Sequence, residues 1–497
     1  MGAHEPANSH AGNDTITPPG PVVTTAARVR EGSTTPTAEV DAALTRIDEG
    51  NAEVYAFDVV RAERARAEAA ELEQRDLDAL PLAGVPVAIK HNVAVTGETV
   101  LDGSLATDPA PATADHPVVS RLREAGAVVV GLTTVPELSL WGMTDGPDGI
   151  TRNPWNPERT CGGSSGGAAA AVAAGLVPVA HGNDGLGSVR IPAACCGVVG
   201  IKPGRGVVPA EVGPDSWAGM TENGVLATTV ADAALTLSVM AGRPELADVD
   251  AAAPLRVALA VNAPSPLIKV DRHWTAAART AGSAAAAAGH AVDSVKLPYG
   301  DAVTAVMLRW PMLAIPEADE LPQPQLLQKR TRRHLALGRL IVRLNLVRPA
   351  QVERVEARLV EFFENFDVVI TPALALPPPQ AKAWHAKGWL TNFLNSPRYS
   401  PFTPMWNLVG WPAMTVPMGL HPESGTPVAA QLAGPPGSES TLLRLAAQLE
   451  QQHPWPRGGP GGGGRGGGCG GGGCGTPGRG LGGTPPPRPA AASRSSG

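Results

Sequence analysis

The sequence predicts an α/β protein, and three observations carry the prediction. Helical patterns run into short apolar strands, as from Val118–Ala125 through Gly126 into Ala127-Val128-Val129-Val130-Gly131 and from Val352–Phe363 into Val368-Val369-Ile370-Thr371-Pro372. Hydrophobic residues make up 43% of the 497 residues and charged residues 17%, a balance that can bury a large core. Aromatic residues are only 4%, so that core must rely on close backbone packing and on Ala, Val and Leu contacts.

Taken in order, residues 1–30 are polar and Pro-containing and are expected to be unstructured. Pro36 follows a Ser/Thr cluster and opens a helix, amphipathic over Ala38–Ile47. A second helix is expected over Val59–Leu77, rich in Ala, Glu and Arg, and Pro81 ends it. Leu82-Ala83-Gly84-Val85-Pro86-Val87-Ala88-Ile89-Lys90 reads as an apolar strand ending on a lysine. Gly167–Gly175, with four consecutive alanines, reads as a helix able to lie tightly on a sheet. Strands follow at Leu176–Ala180 and Val198–Ile201, a helix at Thr229–Ala241, a strand at Leu255–Val261 and an Ala-rich helix at His273–Ala288. Leu326–Val347 carries an Arg-rich face (Arg330, Arg332, Arg333, Arg339, Arg343), expected to be solvated or ion-paired. The strand Ala413–Pro417 and the helix Ser440–Gln451 complete a domain spanning 31–457. Residues 458–497 are almost entirely Gly, Pro, Arg, Ala and Ser and are expected to be unstructured. Deleting 458–497 is expected to leave activity and Tm nearly unchanged, which an activity assay and calorimetry would check.

A net charge of −6 leaves no basic footprint for nucleic acid. No run approaches the roughly 20 apolar residues of a membrane span, and the first residues lack the pattern of a signal peptide. Five cysteines without regular spacing argue for a reducing, cytoplasmic setting rather than a disulfide framework. Cys469 and Cys474 have no second pair and no nearby histidine, so no metal is expected. There is neither a P-loop nor a dinucleotide fingerprint, and no cofactor is expected.

Two glycine-rich turns present serines: Gly162-Gly163-Ser164-Ser165-Gly166-Gly167 and Asn183-Asp184-Gly185-Leu186-Gly187-Ser188. A serine is a weak nucleophile that needs help to ionise. Among 11 histidines, only His181 and His91 lie near these elements, and no Gly-x-Ser-x-Gly elbow occurs. Lys90 is the other candidate. Burial lowers a lysine pKa, and a neutral lysine can accept a proton; alternatively Lys90 is a strand-end lysine paired with a carboxylate.

Together these stretches resemble the amidase signature family. The likeness is carried by Leu82–Lys90, Gly162–Gly167, Gly182-Asn183-Asp184-Gly185-Leu186-Gly187-Ser188-Val189-Arg190-Ile191-Pro192-Ala193 and Gly200-Ile201-Lys202-Pro203. Weaker echoes, among them Asn153-Pro154-Trp155-Asn156 and Asn407-Leu408-Val409-Gly410-Trp411-Pro412-Ala413, extend it over roughly residues 35–455. The resemblance implies one large domain with a mixed central sheet covered by helices on both faces. It implies hydrolysis of an amide C–N bond in a small-molecule substrate, with Ser188 as nucleophile, Lys90 as base and Ser164 between them in a cis peptide with Gly163. The oxyanion would sit on backbone N–H groups of Gly185, Leu186 and Gly187. Asp184 and Arg190 are expected to pair and hold the turn, and Ser165 to support it by hydrogen bonding. Trp141, Trp217 and Trp406 are each either pocket lining or core. Relatives of this kind are often homodimers. An amidotransferase subunit delivering ammonia to a partner, or a non-catalytic binding protein, are the alternatives. His91 stands where the family usually has aspartate, and Leu186 where glycine is common, which leaves the shape of the second turn open.

Overall fold

The computed structural model describes residues 20–251 and 253–459. The expectations for residues 1–19 and 460–497, Cys469 and Cys474 included, lie outside the described residues. An eleven-stranded mixed sheet forms the centre. Its strands are β1 (Phe57–Val60), β2 (Pro86–Lys90), β3 (Val128–Thr133), β4 (Val179–Asp184), β5 (Val199–Lys202), β6 (Glu222–Ala227), β7 (Arg256–Leu259), β8 (Ala291–Ser294), β9 (Val368–Pro372), β10 (Ala413–Leu420) and β11 (Pro427–Ala433). The spatial order is β1-β3-β2-β4-β6-β5-β10-β11-β9-β7-β8. β3, β2 and β4 run parallel, as do β9, β7 and β8, whereas the strands between them pair antiparallel. Strands β2, β3, β4, β5 and β6 are buried along their whole length; β3 reads as an unbroken apolar run up to Thr133, whereas β2, β4, β5 and β6 carry polar or charged residues toward one end.

Several expectations are corrected. Residues 21–30 are not unstructured: Pro21–Arg30 is a helix that buries Val22, Ala26 and Val29. Its first turn is held from outside, because Asp232 Oδ1 accepts the Val23 N–H at 3.0 Å. The helix expected from Val59 begins at Ala62, because Val59 and Val60 pair with Leu132 and Gly131 as an edge strand. The strand expected at Leu176–Ala180 lies at Val179–Asp184, so it delivers Asn183 and Asp184 at its end. The helix Arg190–Cys196 and strands β6 and β11 carry no periodic signal that the sequence reading used.

The parallel register of β2 and β4, Val87 opposite Val179 and Ala88 opposite Ala180, brings their C-terminal ends together. Lys90 therefore lies beside Asn183. Ligands and chemistry gather at such carboxyl ends in α/β sheets. The small-residue helix Gly166–Ala173 is fully buried against this part of the sheet, as its alanines allow.

Candidate active site

Lys90 is fully buried at the end of β2. Its Nζ is 2.7 Å from Ser164 Oγ and 2.5 Å from Asn183 Oδ1. Desolvation lowers the Lys90 pKa to about 7, only partly opposed by the charges of Asp102, Asp184 and Glu317. The Asn183 amide is oriented by Asn92, whose Oδ1 accepts from Asn183 Nδ2 at 2.7 Å. Asn183 Oδ1 can only accept, so it takes a hydrogen bond from Lys90 and leaves the lone pair of the neutral amine for Ser164. The peptide between Gly163 and Ser164 is cis, as the resemblance implied. Ser164 and Ser188 line the same small cavity, and Ser188 is 9% exposed.

The two glycine turns are tied together by backbone. The Ser165 N–H donates to the Ser188 carbonyl at 3.0 Å, and Ser165 Oγ donates to the Asn183 carbonyl at 3.1 Å. Beneath the second turn, Asp184 and Arg190 form a two-pronged pair, Nε to Oδ2 and Nη2 to Oδ1, both at 2.9 Å. Both side chains are fully buried. Arg190 holds Asp184 well below the usual carboxylate range. The rest of the fork is satisfied by Thr403 O, Gln431 Oε1 and Asn407 Oδ1. Removing one partner of such a pair leaves an uncompensated buried charge. Arg190→Leu should destabilise the protein by about 3–5 kcal/mol, measured by urea unfolding.

The turn's backbone corrects one expectation. The Gly187 N–H donates to Asp184 Oδ1 at 2.6 Å, so it is not free for an oxyanion. The φ of +120° that turns it inward is open to glycine and strained for other residues. The N–H groups of Gly185, Leu186 and Ser188 have no acceptor among the described residues. Leu186 is not among the residues with positive φ, so it adopts its place without the strain its side chain would bring to a left-handed position. Its side chain instead lines an apolar cavity.

That cavity, about 60 Å³, lies beside Ser188 and is lined by Trp141, Leu186, Trp217, Met307 and Trp310. Trp141 and Trp217 are thus pocket residues, whereas Trp406 is wholly buried core. Trp141 meets Trp310 edge to face at 5.9 Å and carries the Arg330 guanidinium 5.1 Å over its ring. For Arg330 the ion-paired reading of the Arg-rich face holds: it is buried and paired with Asp145 at 3.2 Å. Trp217 sits in a left-handed turn, with φ of 49°, 55° and 54° at Ser216, Trp217 and Ala218. Each such residue costs roughly 1–2 kcal/mol, and such outliers cluster at ligand clamps. A Cβ at Gly185 would stand 2.6 Å from the Trp217 ring, so only glycine lets the ring close over the turn.

Neither histidine reaches a serine. His181 accepts the Lys90 N–H on Nδ1 and faces Asn223 Oδ1 with Nε2, and burial drives its pKa to about 3. His91 is taken up by Asp58 and the Thr99 carbonyl. Cys161, Cys195 and Cys196 are buried, and burial pushes the Cys161 thiol up to about 12, which keeps it protonated. Among the described residues one group, Asp271, His273 and His421, brings possible metal-ligand atoms within 4.8 Å. His421 Nδ1 accepts the N–H groups of Glu423 and Ser424, so Nε2 carries the proton and points it toward Asp271 rather than offering a lone pair. Sequence reasoning missed Asn183 as a partner of Lys90, Asn92 as the partner that orients Asn183, and Asp102 and Glu317 near them. An asparagine at the end of a strand carries no signal of a contact 93 positions away.

The fold and this arrangement define a member of the amidase family: the family's sequence profile, described as Amidase, matches residues 38–443, and the chain belongs to that family. It is an amide-hydrolysing enzyme. Among proteins it resembles, "Putative amidase AmiB2" of Mycobacterium tuberculosis (strain ATCC 25618 / H37Rv) is 40% identical over 86% of this chain and 94% of its own length. Among solved structures, 6-aminohexanoate cyclic dimer hydrolase complexed with substrate is 29% identical, with a TM-score of 0.76 over 87% of this chain and 97% of that one. One subunit of glutamyl-tRNA(Gln) amidotransferase from Thermotoga maritima is 25% identical, with a TM-score of 0.69 over 87% and 95%. No helix of the described residues is long and apolar enough to cross a membrane.

Proposed function

We propose that the chain hydrolyses the C–N bond of a small-molecule amide through an acyl-enzyme on Ser188. Neutral Lys90 takes the proton of Ser164, and Ser164 takes that of Ser188 as Ser188 Oγ attacks the carbonyl carbon. The negative charge on oxygen is met by the N–H groups of Gly185, Leu186 and Ser188. The proton returns through Ser164 to the departing nitrogen, the C–N bond breaks, and water repeats the cycle on the acyl-enzyme. The reading rests above all on the 2.7 Å contact between Lys90 Nζ and Ser164 Oγ in a site where lysine can be neutral near neutral pH. The apolar cavity of tryptophans beside Ser188 suits an apolar group on the substrate.

We infer a cytoplasmic enzyme that acts without nucleic acid or membrane, with a homodimer as the assembly that size-exclusion chromatography would test. The deciding experiment is hydrolysis by the chain alone of a panel of linear, aryl and amino-acid amides and oligoamides, with Ser188→Ala as control. Turnover without a partner chain supports the hydrolase over a binding protein and over an amidotransferase subunit. No turnover across the panel would sink it.

A further inference from the structure

Two unlike spaces meet at Ser188. Besides the tryptophan cavity there is a polar one of about 10 Å³, reached by Ser164, Asn183, Thr221, Asp102 and Glu317. That is room for about one water-sized molecule. Asp102 is buried at 4% exposure and accepts from Ser139 Oγ at 2.7 Å. Its carboxyl group and that of Glu317 both line this cavity of about one water's size. Two buried carboxylates that share one site cannot both be ionised at little cost, so the pair holds a proton. Burial raises both, and Glu317 is raised further by Asp102.

Two independent observations mark the cavity as a place for a ligand. Thr221, only 3% exposed, lines the cavity, and its hydroxyl has no hydrogen-bond partner among the described residues. Glu317, half-buried, lines both this cavity and an open outer groove, where Asp108, Glu211 and Glu320 also stand and no Lys, Arg or His is present among the lining residues. Glu317 therefore joins the cavity at Ser188 to a groove whose charged lining residues are all acidic.

We propose that Asp102, Glu317 and Thr221 form an ammonium site on the leaving-group side of Ser188, which takes ammonia released from a primary amide and passes it as ammonium into the acidic groove. The proposal rests on Ser188 being the nucleophile. Ammonia leaves the tetrahedral adduct as a neutral molecule. The proton shared by the two carboxyl groups moves to its nitrogen lone pair, giving an ammonium ion between two carboxylates, with Thr221 Oγ accepting one N–H. As the cation leaves through the groove, a proton from solvent restores the shared state, and charge balances at each step.

The test reads the rate at which a fluorophosphonate labels Ser188 in the full chain at neutral pH, in ammonium chloride and in tetramethylammonium chloride of equal ionic strength. Ammonium is expected to slow labelling saturably. Tetramethylammonium, too large for a one-water cavity and without N–H donors, is expected to have no effect. Glu317→Gln and Asp102→Asn should each raise the half-effective ammonium concentration roughly tenfold, as loss of a charged hydrogen-bond partner predicts. Glu317 stands at the groove, so its variant folds even if the Asp102 variant does not. Equal slowing by both salts, or an unchanged ammonium effect in Glu317→Gln, overturns the site while leaving Ser188 labelled. An adduct absent from Ser188 overturns the nucleophile and this proposal with it.

Discussion

Ser188→Ala is expected to abolish amide hydrolysis, with kcat falling by about 10⁶-fold, the range seen when a catalytic serine is removed from a hydrolase that acts through an acyl-enzyme. KM should change far less, because the apolar cavity and the turn's N–H groups remain. Side-chain loss should hardly touch stability, since the anchoring contact of Ser188 is its carbonyl on the Ser165 N–H. Peptide mapping after fluorophosphonate treatment should find the adduct on Ser188 in wild type and none in the variant. An adduct on Ser165 or on Cys161, Cys195 or Cys196, or unchanged hydrolysis by Ser188→Ala, would reassign the nucleophile.

The second large effect concerns Lys90. Lys90→Ala should slow acylation by about 10²–10⁴-fold, the usual worth of a positioned base. Lys90→Arg should be as slow, because a guanidinium stays charged and cannot accept the serine proton. In wild type, kcat/KM should rise with pH through an inflection near the Lys90 pKa of about 7, and both variants should lose that inflection. A matching signature belongs to stability. The folded pKa of about 7 lies below the ordinary 10.5, so between those values the unfolded chain binds more protons than the folded one. Stability therefore rises with pH across that window, by an amount of roughly 4–5 kcal/mol if Lys90 acts alone. Below pH 7 both states hold the proton, and the folded state bears the full cost of a buried ammonium. The Tm of wild type relative to Lys90→Met should accordingly increase from pH 7 toward pH 10, as scanning calorimetry would measure. A difference independent of pH would mean that Lys90 is charged in the folded protein throughout.

Much of the site could be read from the chain because its parts are local. Glycines and serines crowd into two short turns, and Lys90 ends an apolar strand where a charge is out of place. The Asp184–Arg190 pair spans only six positions, a distance at which a turn can close on itself. What escaped reading was non-local or counter to composition. Pro21–Arg30 follows a polar, Pro-containing stretch and reads as part of it, yet Val22, Ala26 and Val29 find a buried face against the rest of the domain. Arg330 belongs to an Arg-rich stretch, and only its pairing with Asp145 and its place over Trp141 draw it inside. The free N–H groups of the second turn could be counted from the sequence but not sorted, because the fate of the Gly187 amide depends on where the Asp184 carboxylate points.

The sequence by itself determined the α/β class, the two serine turns and the lysine at the end of β2, since these follow from short-range pattern and from the resemblance those motifs carry. The tertiary structure alone decided which groups meet. The parallel pairing of β2 with β4 sets Lys90 against Asn183, and the fold of the Ser216–Ala218 turn lays Trp217 across Gly185. It also sets Asp102 and Glu317, 215 positions apart (317 − 102), in one cavity with Ser188. Contacts across such separations are fixed by strand order and packing, which no local window of sequence contains.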